Sequence, residues 1–285
     1  MAFRFGSRLV ANRPFTDYLR EVVRHFQVIE LQTDPRYFSP NFSFTINEKK
    51  ALRIYQEQYG FQLTMHAPYV NLRLGAINLE ERQISINIFL NAMRLTSDLG
   101  IKTLTFHPCT LEPNAPEVYP ENCLLEEGSI SLLLNEAKKL GISLLIENMP
   151  LLPDHHPKTT DGSRFQELLW LFPEPEFGIT LDLGHALQAG VPLESLLKME
   201  RVQHFHFHEN DRNSDLHLPV NANLEWWSKT LKTITKQFPN AVGIFEMGRL
   251  EEQIESLNHL APAGKKNHRP KSQSNRLIPP LLDLE

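Results

Sequence analysis

Residues 129–150, SISLLLNEAKKLGISLLIENMP, decide how this chain is read. The first thirteen read as a helix that Gly141 stops, since glycine adopts the left-handed helix end without steric cost. A short apolar run follows and closes on Glu147. The same alternation of short β-rich runs and longer amphipathic runs recurs along the chain. The strand candidates are FRFGSRL (residues 3–9), VIELQT (28–33), QLTMHAP (62–68), IKTLTFHP (101–108), ISLLIENMP (142–150), FGITLDLGHA (177–186), VQHFHFHEN (202–210) and AVGIFEMG (241–248). Helix candidates between them include DYLREVVRHF (17–26) and EERQISINIFLNAMRLTSDLG (80–100), the latter ended by Gly100. At helical spacing Ile84, Ile88, Leu95 and Leu99 share one face, as do Trp227, Leu231, Ile234 and Phe238, and both stripes are expected in the core.

Eight strand–helix units is the number that closes a parallel barrel, whereas open doubly wound sheets usually stop at five or six. No GxGxxG or GxxxxGK turn follows any strand, which argues against nucleotide binding. The expected fold is a single (β/α)8 TIM barrel over residues 1–258. The tail 259–285 is rich in Pro, Lys, Arg, Ser and Asn and is expected to be disordered. With 41% hydrophobic and 22% charged residues, the composition is that of a soluble globular protein. A net charge of -5 argues against a general polyanion binder. The first residues hold no apolar run fit for a signal sequence or membrane span. Two cysteines, Cys109 and Cys123, do not make a disulfide framework. A reducing cytoplasm is therefore expected.

Barrels carry their chemistry at the C-terminal ends of their strands. Here strand 3 ends in His66, strand 4 in His107, strand 5 in Glu147, strand 6 in Asp182 followed by His185, and strand 8 in Glu246. Strand 7 carries His204, His206 and His208 on one face, with Asp215 and His217 just beyond. One such histidine is ordinarily a hydrogen-bonded structural residue. Three carboxylates among apolar neighbours at one barrel mouth would repel one another unless cations lay between them. A mixed imidazole and carboxylate set suits zinc, with manganese or iron as substitutes. His155 and His156 carry no motif and read as surface groups, and Cys109 as a free buried thiol.

The segments MHAPYVNL, FHPC, IENMP, LDLGHALQAG, HFHFHENDRNSDLH and FEM resemble the xylose-isomerase-like barrel superfamily, which includes endonuclease IV and the sugar phosphate isomerases and epimerases. The resemblance implies a three-metal site. His66, His107 and Glu147 would hold one ion, and Glu147 would bridge to a second completed by Asp182, His206 and Glu246. His185, Asp215 and His217 would hold the third. It also makes His206 the strand-7 ligand, with His208 the fallback and His204 packed beside it. TDPRYF and HAPYVNL resemble endonuclease segments, which implies nucleic-acid contacts for Arg36 and Tyr69. Where the family usually has Gly-x-Gly, this chain has Asn221-Ala222-Asn223, and Asn tolerates the left-handed turn.

Two activities follow. In the hydrolase, Glu147 and Glu246 are the catalytic carboxylates of a multinuclear zinc site, and a water held between two ions attacks a phosphoester in line. Its substrates would be an abasic or nucleotide-like phosphodiester or a sugar phosphate. In the sugar isomerase or epimerase, Glu147, Asp182, His206 and Glu246 hold one ion while Glu147 and Glu246 shuttle a proton. HFHENDR resembles the epimerases, and Glu209, Arg212 and His185 would then contact the sugar. His66, His107, Asp215 and His217 are surplus to that chemistry, which ranks hydrolysis slightly ahead. A barrel that binds metal or sugar without catalysis is the third possibility.

Overall fold

The computed structural model describes residues 3–10, 13–33, 44–70, 72–110 and 115–260. Arg36 and the tail from 261 onward lie outside the described residues. All eight expected strands form: β1 Arg4–Arg8, β2 Val28–Gln32, β3 Gln62–His66, β4 Thr103–Phe106, β5 Ser143–Glu147, β6 Phe177–Asp182, β7 Val202–Phe207 and β8 Val242–Phe245. They pair in chain order, all parallel, and β1 closes on β8. The helices are α1 Phe15–Val22, α2 Ile46–Tyr59, α3 Leu79–Asp98, α4 Tyr119–Leu140, α5 Pro157–Thr160, α6 Ser163–Leu171, α7 Leu183–Ala189, α8 Leu193–Leu196, α9 Leu224–Gln237 and α10 Leu250–Leu260. No helix among the described residues is long and apolar enough to cross a membrane.

Local chemistry sets the boundaries. Thr45 and Glu48 form a reciprocal capping box at the start of α2. Gly100 and Gly141 follow α3 and α4 at φ of 71° and 63°, as their positions in the sequence require. The expected α9 stripe is largely correct: Trp227, Leu231 and Ile234 are buried and Phe238 packs against the core. The α3 stripe holds only in part: Leu95 is buried and Leu99 packs against the core. Ile84 is 52% exposed, and the buried face is Ser85, Ile86, Phe89, Ala92, Met93, Leu95 and Thr96. Ser85 and Thr96 look polar in a hydropathy pattern, yet their hydroxyls donate to the Glu81 and Ala92 carbonyls of their own helix at 2.9 and 2.7 Å. Satisfied this way, a hydroxyl tolerates burial.

Strand alternation divides the side chains between two environments. Phe205 and Phe207 of β7 point outward, against Phe238 and Trp227 respectively. The barrel interior begins with a separate apolar plug of Val28, Val242 and Ile244 at the N-terminal ends of β2 and β8. Above the plug it turns polar. Thr105 and Thr180 bond each other at 2.8 Å, and Glu30, Thr64, His204 and His206 lie in the same buried zone.

Candidate metal centre

The residues expected at the strand ends converge into three groups at one mouth of the barrel. His66, His107 and Glu147 form the first; Glu147, Asp182, His206 and Glu246 form the second; His185, His208, Asp215 and His217 form the third. Within each group the potential ligand atoms lie within 4.8 Å of one another. Glu147 is the hub. Its Oε2 is 3.2 Å from His66 Nε2 and 3.3 Å from His107 Nε2, and its Oε1 is 2.8 Å from His206 Nδ1. Glu246 faces the same His206 nitrogen at 3.4 Å.

The folded chain aims these rings with few side-chain tethers. His66 Nδ1 donates to the Ala67 carbonyl at 2.8 Å, His185 Nδ1 to the Asn148 carbonyl at 2.7 Å, and His217 Nδ1 to the Glu246 carbonyl at 3.1 Å. Each leaves Nε2 turned toward a carboxylate. Asp182 caps α7 by accepting from the His185 backbone N–H at 2.7 Å, so one short turn fixes both residues. Asn148 clasps β5 to β6, its amide bonding the Asp182 carbonyl and backbone N–H at 2.9 and 2.7 Å. His217 holds a left-handed backbone at φ 51°, a conformation that costs a non-glycine residue about 1 kcal/mol or more. Asn223 also takes that region, at φ 44°, as the Asn221-Ala222-Asn223 substitution for glycines demands.

The electrostatics are those of a site that compensates its own charge. Burial pushes the Glu147 carboxyl up, but His206, His107 and His66 more than offset it and hold it well below the usual carboxylate range. Asp182 is held at about 2 by His185 and His208 against the opposing effect of burial. Burial depresses His185, yet Asp182 and Asp215 raise it to about 10. Carboxylates and imidazoliums thus neutralise one another in places where divalent ions could do so instead. The donor set is mixed nitrogen and oxygen, and ring nitrogens are left free of backbone partners toward each group. These residues fit zinc-like ions, and fit manganese or iron as well.

Several expectations are refined. His206 and His208 both belong to the centre, His206 in the second group and His208 in the third, where its ring stacks on His217 at 4.0 Å. His204 sits deeper, beside Glu30. Tyr69 rims the first group, its ring 5.7 Å from that of His66 and 5.0 Å from that of His107. Arg36 is outside the described residues. Glu209 is buried, accepting from Trp227 Nε1 at 2.7 Å and from the Ala222 N–H at 3.3 Å. Arg212 is exposed. His155 is not the surface group expected, its side chain being only 11% exposed, whereas His156 is half-buried and stacks on Tyr119 at 3.7 Å. Cys109 is a free buried thiol. Sequence reading missed Asn148 and Glu30; the Asn beside Glu147 was a visible signal for the first.

Comparison with known proteins agrees with this architecture. An uncharacterised protein of Methanocaldococcus jannaschii is 25% identical over 77% of this chain and 74% of its own length. A probable endonuclease 4 of Campylobacter concisus is 31% identical over 46% of this chain and 44% of its own. A solved D-tagatose 3-epimerase-like protein superposes with a TM-score of 0.77 at 22% identity, covering 90% of this chain and 96% of that one. Residues 19–263 match the family described as the xylose isomerase-like TIM barrel, and the chain belongs to that family.

Proposed function

We propose that the chain is a divalent-metal-dependent phosphoester hydrolase of the endonuclease IV kind, with Glu147 and Glu246 as its catalytic carboxylates. One observation carries this reading: His66, His107, Asp215 and His217 are gathered into two further ligand groups flanking Glu147, Asp182, His206 and Glu246. A single-ion isomerase has no use for them. When bound, two or three ions, zinc by donor set, would polarise a phosphoester and lower the pKa of a water. Glu147 joins the first two groups, and Glu246 faces them from across His206. Tyr69 closes the edge over His66 and His107, where it would meet the substrate. That substrate is an abasic or nucleotide-like phosphodiester or a sugar phosphate.

A second reading is a sugar or sugar phosphate isomerase or epimerase. The likeness to a 3-epimerase-like protein over most of both chains supports it, whereas the endonuclease match covers under half of this chain. By similarity this reading stands at least level with the first. The second group is complete for it, with Glu147 and Glu246 as the proton shuttle and His185 near the sugar. The Glu209 carboxylate counts against it, being engaged by Trp227 and Ala222.

Metal-loaded protein should be assayed on abasic duplex DNA, a generic phosphodiester and a ketose panel. Phosphodiester cleavage that is lost in His107→Ala is the expected result. Ketose interconversion that survives His107→Ala would replace the hydrolase with the epimerase.

A further inference from the structure

A neutral imidazole binds a cation only through the ring nitrogen that lacks a proton, so whatever holds the proton decides which face of the ring is the ligand. For His66, His185 and His217 the holder is a backbone carbonyl at Nδ1, and a carbonyl can only accept. His206 is turned the other way. Its Nδ1 faces Glu147 at 2.8 Å and Glu246 at 3.4 Å. Among the described residues no carbonyl bonds either of its nitrogens. Its Nε2 instead lies 3.1 Å from Oε1 of Glu30, in the middle of β2.

Glu30 is fully buried. Its other oxygen accepts from the Thr64 hydroxyl at 3.2 Å and lies 2.9 Å from His204 Nε2. A carboxylate so far from solvent needs positive or donating neighbours, and here they are one hydroxyl donor and two imidazole nitrogens at 2.9 and 3.1 Å. We infer that Glu30 is a positioning residue that keeps a proton on His206 Nε2, so that Nδ1, which donates to Glu147 in the ion-free protein, is the nitrogen that would be given up to an ion in the second ligand group. A histidine that binds metal is commonly oriented by a carboxylate behind it. Here three rings have backbone anchors, whereas His206 has a carboxylate behind it, below and across the interior, from a different strand. His204 brings a second ring nitrogen to within 2.9 Å of the buried charge. The inference rests on reading the second group as an ion site.

The same atoms define a competing arrangement. Glu30, His204 and His206 offer ligand atoms within 4.8 Å of one another, and Glu30 Oε1 and both Nε2 atoms lack a well-aligned hydrogen bond. An ion held there would make Glu30 a ligand and not a positioning residue, and the test must separate the two.

Glu30→Met removes both acceptors, and Glu30→Gln keeps the shape and one acceptor should the first variant fold poorly. Zinc titration with ion counting, and long-range ¹H–¹⁵N correlation of the histidine rings in the ion-free protein, give two independent readouts. The expected result is an unchanged ion count at saturation, with the affinity of one site reduced about 10- to 100-fold in Glu30→Met and less in Glu30→Gln. In the ion-free protein the wild-type His206 Nε2–H signal should be shifted downfield by its carboxylate neighbour, and that shift should be lost in Glu30→Met. Affinity within twofold of wild type with an unchanged His206 Nε2–H signal overturns the inference. So does loss of one whole ion at saturation, which would make Glu30 a ligand. A wild-type protein that takes up no ion refutes the ion site itself, and the Nε2–H measurement tells that failure apart because it is read without metal.

Discussion

Stripping the centre with a chelator should lower stability by more than any single core substitution. An ion that binds only the folded chain adds RT ln(1 + [L]/Kd), about 4 kcal/mol at a free concentration a thousandfold above Kd. Three ligand groups stand at the barrel mouth, the first two joined through Glu147 and the third, of His185, His208, Asp215 and His217, sharing no residue with them. Full loading is then worth about 8–12 kcal/mol. At about 2 °C per kcal/mol for a chain of this size, the melting temperature should rise by about 15–25 °C. The stripped protein should still melt cooperatively, because Glu147 with His206 at 2.8 Å and Asp182 with His208 at 3.0 Å pair directly without ions. Calorimetry at fixed pH, on chelated protein and after stepwise zinc addition, measures the difference. Asp215→Asn should remove about one third of it. Loaded and stripped melting temperatures within about 3 °C, or a rise complete after one ion equivalent, would refute the three-group reading.

Glu147→Gln should release both ions it touches while leaving the third, so ion counting should fall from three to one. A methyl at Gly184 would stand 2.2 to 2.4 Å from the His208 ring; Gly184→Ala should therefore displace that ring, cost about 1–3 kcal/mol in denaturant unfolding, and weaken the third ion site in calorimetric titration. Arg164, 3% exposed, pairs with the buried Glu126 at 3.3 Å and with Glu127 at 2.8 Å, so Arg164→Ala should lose about 3–5 kcal/mol in urea unfolding. Burial lowers His155 from 6.5 to about 4. The unfolded chain therefore binds the extra proton first, and stability is full above pH 6.5 and falls as pH drops toward 4. The loss should reach about 3 kcal/mol and be absent in His155→Asn.

The barrel was legible because its eight strands are short, apolar and separated by amphipathic runs, and because the ligand residues stand where strands end. His66, Glu147 and Asp182 are the last residues of β3, β5 and β6, and His107 and Glu246 come one residue after β4 and β8. Glu30 was hidden by the same rule, since it lies mid-strand and one layer deeper, where VIELQT looks like any buried strand. The roles of His206 and His208 could not be separated by alternation, which puts both on one face. Two residues of strand rise, about 7 Å, carry them to different ion groups. Spacing from His206 says nothing about Trp227, the partner that holds the Glu209 carboxylate, because it is supplied by a helix fifteen residues downstream. The α3 face was missed in part for a local reason, the internal satisfaction of Ser85 and Thr96.

Carbonyl anchoring of His66, His185 and His217 has a consequence for mutational tolerance. Ala67, Asn148 and Glu246 supply those anchors through atoms that no side-chain replacement removes, so the tautomers of three rings survive sequence drift at the anchor positions. The loops above can then diverge in length and composition without disturbing how the rings are aimed, which lets one constellation serve many substrates. His206 depends instead on the identity of a neighbouring side chain, Glu30, and that neighbour lies where drift is least affordable.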